Sequence, residues 1–143
     1  MFLIQINATS IRLGMVILGD RWEKMIFIVD DDHATRNSLR LLLETEGFEA
    51  EEFAAGRPFL DAARPVDGDR LILDLHMPGM SGLEVLAELR RRGDTLPVIV
   101  LTAVSDNLIR RRALAGGALA VLEKPAEFDE LLALLRGASR VVC

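Results

Sequence analysis

From Met25 onward the chain alternates between two patterns of apolar and polar positions. In the first, a short apolar run, β-branched in places, stops at turn or acidic residues: Ile26–Val29, Phe48–Phe53, Arg70–Leu73, Pro97–Leu101 and Ala118–Leu122. These predict strands. Between them, apolar residues recur at helical spacing, as in Leu39, Leu42 and Leu43, then Leu83, Leu86 and Leu89, and finally Phe128, Leu131, Leu132 and Leu135. These predict amphipathic helices. Gly47, Gly93 and the pair Gly116-Gly117 stand where helices should stop, and Ser81 and Ser105 where helices should start. Five strands alternating with five helices predict an α/β fold, a parallel sheet covered on both faces because right-handed crossovers place helices over each side. Ile26-Phe27-Ile28-Val29 and Val98-Ile99-Val100-Leu101 are apolar at every position, as strands buried on both faces should be. Ligands of such sheets bind outside the carboxyl ends of the strands, so chemistry is to be sought there.

Composition narrows the class. The 143 residues fit one domain, and 50% hydrophobic with 27% charged residues describes a globular chain, not a disordered one. A net charge of -5 argues against direct nucleic-acid binding. Arg110-Arg111-Arg112 reads as a solvated helix face. Cys143 is the lone cysteine and can form no internal disulfide. The apolar N-terminus fails as a membrane span, because Gln5, Asn7, Arg12 and Asp20 interrupt it. It fails as a secretion signal too, because no basic residue precedes an apolar run. A cytoplasmic protein without membrane contact is expected.

The strand ends carry the chemistry. Asp30, Asp31 and Asp32 follow the first strand, Asp74 the third, Thr102 the fourth and Lys124 the fifth. Carboxylates converging at one edge repel one another unless a cation neutralises them. A hard divalent ion suits oxygen ligands, and Mg2+ is favoured because it binds through few carboxylates plus waters and a phosphate. Asp74 can then act as a nucleophile toward a phosphoryl group. Lys124 and the Thr102 hydroxyl would hold the phosphoryl oxygens, with small Ala103 leaving room beside them.

With these pieces in order, the chain resembles a response-regulator receiver domain of two-component signalling, in the CheY-like superfamily. The matching segments are Ile28-Val29-Asp30-Asp31-Asp32, the run from Leu73-Asp74 through His76-Met77-Pro78-Gly79 to Gly82, Leu101-Thr102-Ala103 and Glu123-Lys124-Pro125. The resemblance implies a flavodoxin-like (βα)5 fold with strand order 2-1-3-4-5. It implies Mg2+ held by Asp30, Asp31, Asp74 and the backbone carbonyl of His76. It further implies phosphate accepted at Asp74 from a histidine kinase or histidine phosphotransfer protein, with Thr102 and Lys124 assisting. Such a protein is not an enzyme in its own right, since it catalyses only its own phosphorylation and dephosphorylation. It would signal through a downstream protein target, and a homodimer is left open.

Two departures bear on switching. The family usually carries an aromatic ring three residues before the lysine, which swings inward when the threonine engages phosphate; here that position is Val121, stiff at χ1 and without a ring. Ala126 replaces a common Phe. The switch is therefore expected to rely on backbone shifts of the segment from Thr102 to Asp106, or to be weakly coupled. His76 and Val104, two residues past Asp74 and Thr102, flank the path of attacking water. Asp32 reads either as help to the acid pair or as a solvated acid, His33 as a polar residue opening the first helix, and Met77 and Met80 as packing residues.

Residues 1–24 lie outside the family pattern, 25–137 form the receiver, and 138–143 a short tail. The extension is either an upstream translation start or a hairpin of Phe2–Ile6 and Ile11–Leu18. The single-domain form is expected because little chain follows the last helix. The alternatives are a pseudo-receiver used as a constitutive interaction module and a phosphate sink. An aspartyl-phosphate phosphatase fits poorly, since it wants an Asp where His76 stands.

Overall fold

A computed structural model describes residues 24–137; both readings of the extension and the C-terminal tail fall on residues outside these, apart from Lys24. Five strands, β1 (Met25–Val29), β2 (Glu49–Phe53), β3 (Arg70–Leu73), β4 (Val98–Thr102) and β5 (Ala120–Glu123), alternate with five helices. The helices are α1 (His33–Thr45), α2 (Gly56–Ala62), α3 (Gly82–Arg91), α4 (Asn107–Ala115) and α5 (Phe128–Gly137). All strand pairs are parallel, in the order β2-β1-β3-β4-β5, as expected.

Alternation along the central strands splits the core into two layers. Ile26, Ile28, Ile72, Ile99 and Leu101 face Leu39 and Leu43 of α1 and Leu131, Leu132 and Leu135 of α5. Phe27, Val29, Leu71, Leu73, Val98 and Val100 face α2, α3 and α4, meeting Phe59, Val85, Leu86, Leu89 and Ala113. Each such aliphatic side chain contributes about 1.5–3 kcal/mol by leaving water. β3 and β4 are buried at every position, Arg70 and Thr102 included, whereas β2, at the sheet edge and rich in glutamate, is only half-buried.

The register aligns the strand ends. Val29 lies opposite Phe53 on one side and Leu73 on the other, Leu73 opposite Val100, and Thr102 opposite Glu123. The residues that follow therefore emerge along one rim.

Several sequence boundaries shift. β5 begins at Ala120, not Ala118, because the Ala118 N–H closes α4 by donating to the Ala113 carbonyl, with Gly117 at φ 103° making the turn. β2 and β4 each begin one residue later than read, and β4 also ends one residue later, so Thr102 is itself the last residue of its strand. The cap of α4 is Asp106, whose carboxylate accepts the Ile109 N–H at 2.8 Å, and not Ser105. Ser81 caps α3 as expected, in a reciprocal capping box with Glu84. Among the described residues no helix is long and apolar enough to cross a membrane.

Candidate functional site

The β1 ladder delivers Asp30 to the rim and then holds it on every side. Its N–H donates to the Phe53 carbonyl at 3.2 Å, and its Oδ1 accepts the Asp32 N–H at 2.9 Å. Oδ2 accepts from Lys124 Nζ at 2.7 Å. The Asp30 carbonyl accepts from Arg36 Nη1, also at 2.7 Å. Asp31 stands exposed beside it. Asp32 turns away to cap α1, its Oδ2 accepting both the Thr35 N–H at 2.9 Å and the Thr35 hydroxyl at 2.6 Å. It is thus a helix cap, which neither reading of the sequence named, although Asp-x-x-Thr before a helical pattern is a cap signal.

Asp74 arrives from β3, its N–H donating to the Val29 carbonyl at 2.9 Å. Behind it, α3 starts in close contact: a Cβ on Gly82 would lie 2.3 Å from the Asp74 carbonyl oxygen and 2.7 Å from Leu75 Cα. Only glycine fits there. Asp74 Oδ1 accepts a long 3.4 Å bond from the His76 N–H and lies 3.8 Å from Lys124 Nζ. The His76 side chain itself is exposed.

One carboxylate oxygen from each of Asp30, Asp31 and Asp74 lies within 4.8 Å of the others. Asp30 is 3% exposed and Asp74 5%, so two acids share a buried rim with one lysine. Burial pushes the Asp74 carboxyl up from its ordinary pKa, and the charges of Asp30 and Asp31 push the same way, against Lys124 and the His76 N–H. An all-oxygen donor set carrying excess negative charge suits a hard divalent ion such as Mg2+.

Thr102 and Lys124 occupy neighbouring strand ends, joined by the Lys124 N–H donating to the Thr102 carbonyl at 2.8 Å. The Thr102 side chain is fully buried, and its hydroxyl donates to the Val104 carbonyl at 3.3 Å. Asp30, Asp31, Asp74 and Lys124 are thus brought together, while the Thr102 hydroxyl is engaged by its own loop. Val121 is buried against Val100 and Ala113, and its carbonyl accepts from Arg110 Nη1 at 2.9 Å. Sequence reasoning overlooked Arg36, which sits on a polar helix face where arginine ordinarily means solvent; the solvated face read for Arg110-Arg111-Arg112 holds for Arg111 and Arg112, whereas Arg110 is half-buried and bonded to the Val121 carbonyl.

A doubly wound sheet of order 2-1-3-4-5, with a carboxylate triplet and a lysine at its carboxyl rim, is the architecture of a receiver-type α/β signalling module. The chain belongs to the response regulator receiver domain family, whose sequence pattern matches residues 26–136. It is 40% identical over 111 residues to the transcriptional regulatory protein FixJ of Azorhizobium caulinodans, covering 78% of this chain and 53% of that protein. It is 43% identical over 115 residues to the response regulator MprA of Mycolicibacterium vanbaalenii, covering 80% of this chain and 50% of that one. The chain therefore spans about half the length of these curated relatives. The crystal structure of FixJ-N superimposes with a TM-score of 0.76 at 32% identity, covering 85% of this chain and 98% of that one.

Proposed function

We propose that the protein is a phospho-accepting receiver in which Asp74 takes a phosphoryl group, with Mg2+ held by Asp30, Asp31, Asp74 and the His76 carbonyl. The carrying observation is the convergence of three carboxylate oxygens within 4.8 Å of one another, beside a lysine ammonium 2.7 Å from one acid and 3.8 Å from another. When bound, the ion would neutralise charge on the acids and on the incoming phosphoryl oxygens.

The chain's own residues do the rest. An Asp74 carboxylate oxygen forms the O–P bond as the P–N bond of a phosphohistidine breaks, and the departing imidazole nitrogen keeps the electron pair. Lys124 exchanges its contact with Asp30 for a phosphoryl oxygen. The Thr102 hydroxyl leaves the Val104 carbonyl to donate to another, carrying the segment toward Asp106 with it. The donor is a histidine kinase or histidine phosphotransfer protein, and the output is contact with a further protein. An apolar groove of about 500 Å³ beside Lys124, between α1 and the start of α5, gives such a protein a place to sit; Leu39, Leu42, Leu101, Ala126 and Phe128 line it.

Intact mass after incubation with acetyl phosphate and Mg2+ tests this. A gain of one phosphoryl group in the parent, absent in Asp74→Asn, is expected; an equal gain in both, or none, overturns it. Buried Val121, lacking a ring to move, favours a second reading: a pseudo-receiver that binds constitutively. The two diverge when beryllofluoride is added, since amide shifts reaching α4 require a working switch.

A further inference from the structure

Arg36 holds the acid rim from behind. Its Nη1 donates to the Asp30 carbonyl at 2.7 Å, while its Nε donates to Glu52 Oε1 at 3.2 Å. Its side chain is only 12% exposed. Its Nη2 lies 3.4 Å from His33 Nδ1. One planar guanidinium thus spans the turn after β1 and the end of the edge strand β2. Glu52 is kept available for this: burial works against its charge, but the Arg40 and Arg36 guanidiniums outweigh that and hold its carboxyl below the ordinary range.

We infer that Arg36 is a positioning residue for the acid cluster, clamping the Asp30 carbonyl toward Glu52 and so fixing how the Asp30 carboxylate is presented. The inference rests on the receiver reading of that cluster. Groups that orient a ligand without touching the ion commonly matter about 10- to 100-fold in metal affinity. Charge and geometry pull in opposite directions here. A nearby cation repels Mg2+, so deleting Arg36 would tighten binding if its charge were all that counted. Losing the clamp loosens Asp30 and weakens binding. Lysine keeps the charge but lacks the fork that reaches both partners at once.

The experiment titrates Mg2+ alone into the full chain, following backbone amide shifts, for the parent, Arg36→Gln, Arg36→Lys and Arg40→Gln. Arg40 donates to the same Glu52 without touching Asp30, and so reports what loosening the α1–β2 contact does by itself. Both Arg36 variants are expected to bind Mg2+ about tenfold more weakly, with Arg40→Gln unchanged. Unchanged or tighter binding in the Arg36 variants, or an equal loss in Arg40→Gln, overturns the inference. Should Arg36→Gln fail to fold, Arg36→Lys and Glu52→Gln carry the comparison. A parent that binds no Mg2+ defeats the receiver reading together with this one; a parent that binds, with Arg36 variants its equal, defeats this one alone.

Discussion

The helices on either side of the acid rim, α1 and α4, are held by different means. α1 buries Leu39 and Leu43, is capped by Asp32, and sends Arg36 and Arg40 to Glu52 on the neighbouring strand. α4 buries only Ala113, though both helices leave two leucines half-exposed. Its ties are the Asp106 cap, the partly buried Ile109 and the Arg110 bond to the Val121 carbonyl. Before it runs an exposed loop, in which Val104 is 57% exposed and its carbonyl takes the Thr102 hydroxyl. Asp30 and Asp31 thus stand at the start of the firm helix, and the group proposed to sense phosphate is bonded to the loop before the loose one. A weakly buried helix can shift at small cost, which a switch needs.

The largest effect is expected at Gly82, where α3 backs the third acid of the rim. Alanine there would push the start of α3 away from the backbone of Asp74 and Leu75, and overpacking of this kind costs about 3 kcal/mol. Urea unfolding should register that loss; a change within error would show the packing behind Asp74 to be soft.

Arg110→Gln probes the other side. Removing a charged donor to a backbone carbonyl should cost about 1.5 kcal/mol. Hydrogen exchange should place the loss locally, with α4 amides opening faster and α1 amides unaffected. Uniform acceleration across both helices would erase the distinction drawn here.

The mildest effect is electrostatic. Because the folded pKa of Asp74 is raised, the folded state binds its proton better than the unfolded chain does. Its favourable contribution is complete below the unfolded value, near 3.8, and is lost as pH rises through the folded one. In Mg2+-free buffer Asp74→Asn should therefore unfold at higher urea than the parent at neutral pH. That advantage should shrink as pH falls toward 3.8. An advantage independent of pH would rule out charge as its source.

Much of this was legible in the sequence because burial on two faces leaves an unbroken apolar run, as in β1 and β4, and the rim residues follow such runs directly. What escaped was decided by distance along the chain or by choices between equals. Ser105 and Asp106 are both capping residues, and only the backbone shows which carboxylate or hydroxyl meets Ile109. The helix α2 is short, starts without a side-chain cap and contains Pro58, so only the count of crossovers implied it. Arg36 could not be singled out, because reaching Asp30 and Glu52 together depends on α1 lying across both strand ends.

The bond from Lys124 to the Thr102 carbonyl has one more consequence. Both residues ride on adjacent rails of a single ladder, whose gauge of about 4.8 Å is common to all sheets. Substitutions in the surrounding helices can alter which groups these two side chains reach. The separation of their main chains stays the same unless the sheet itself is pulled apart.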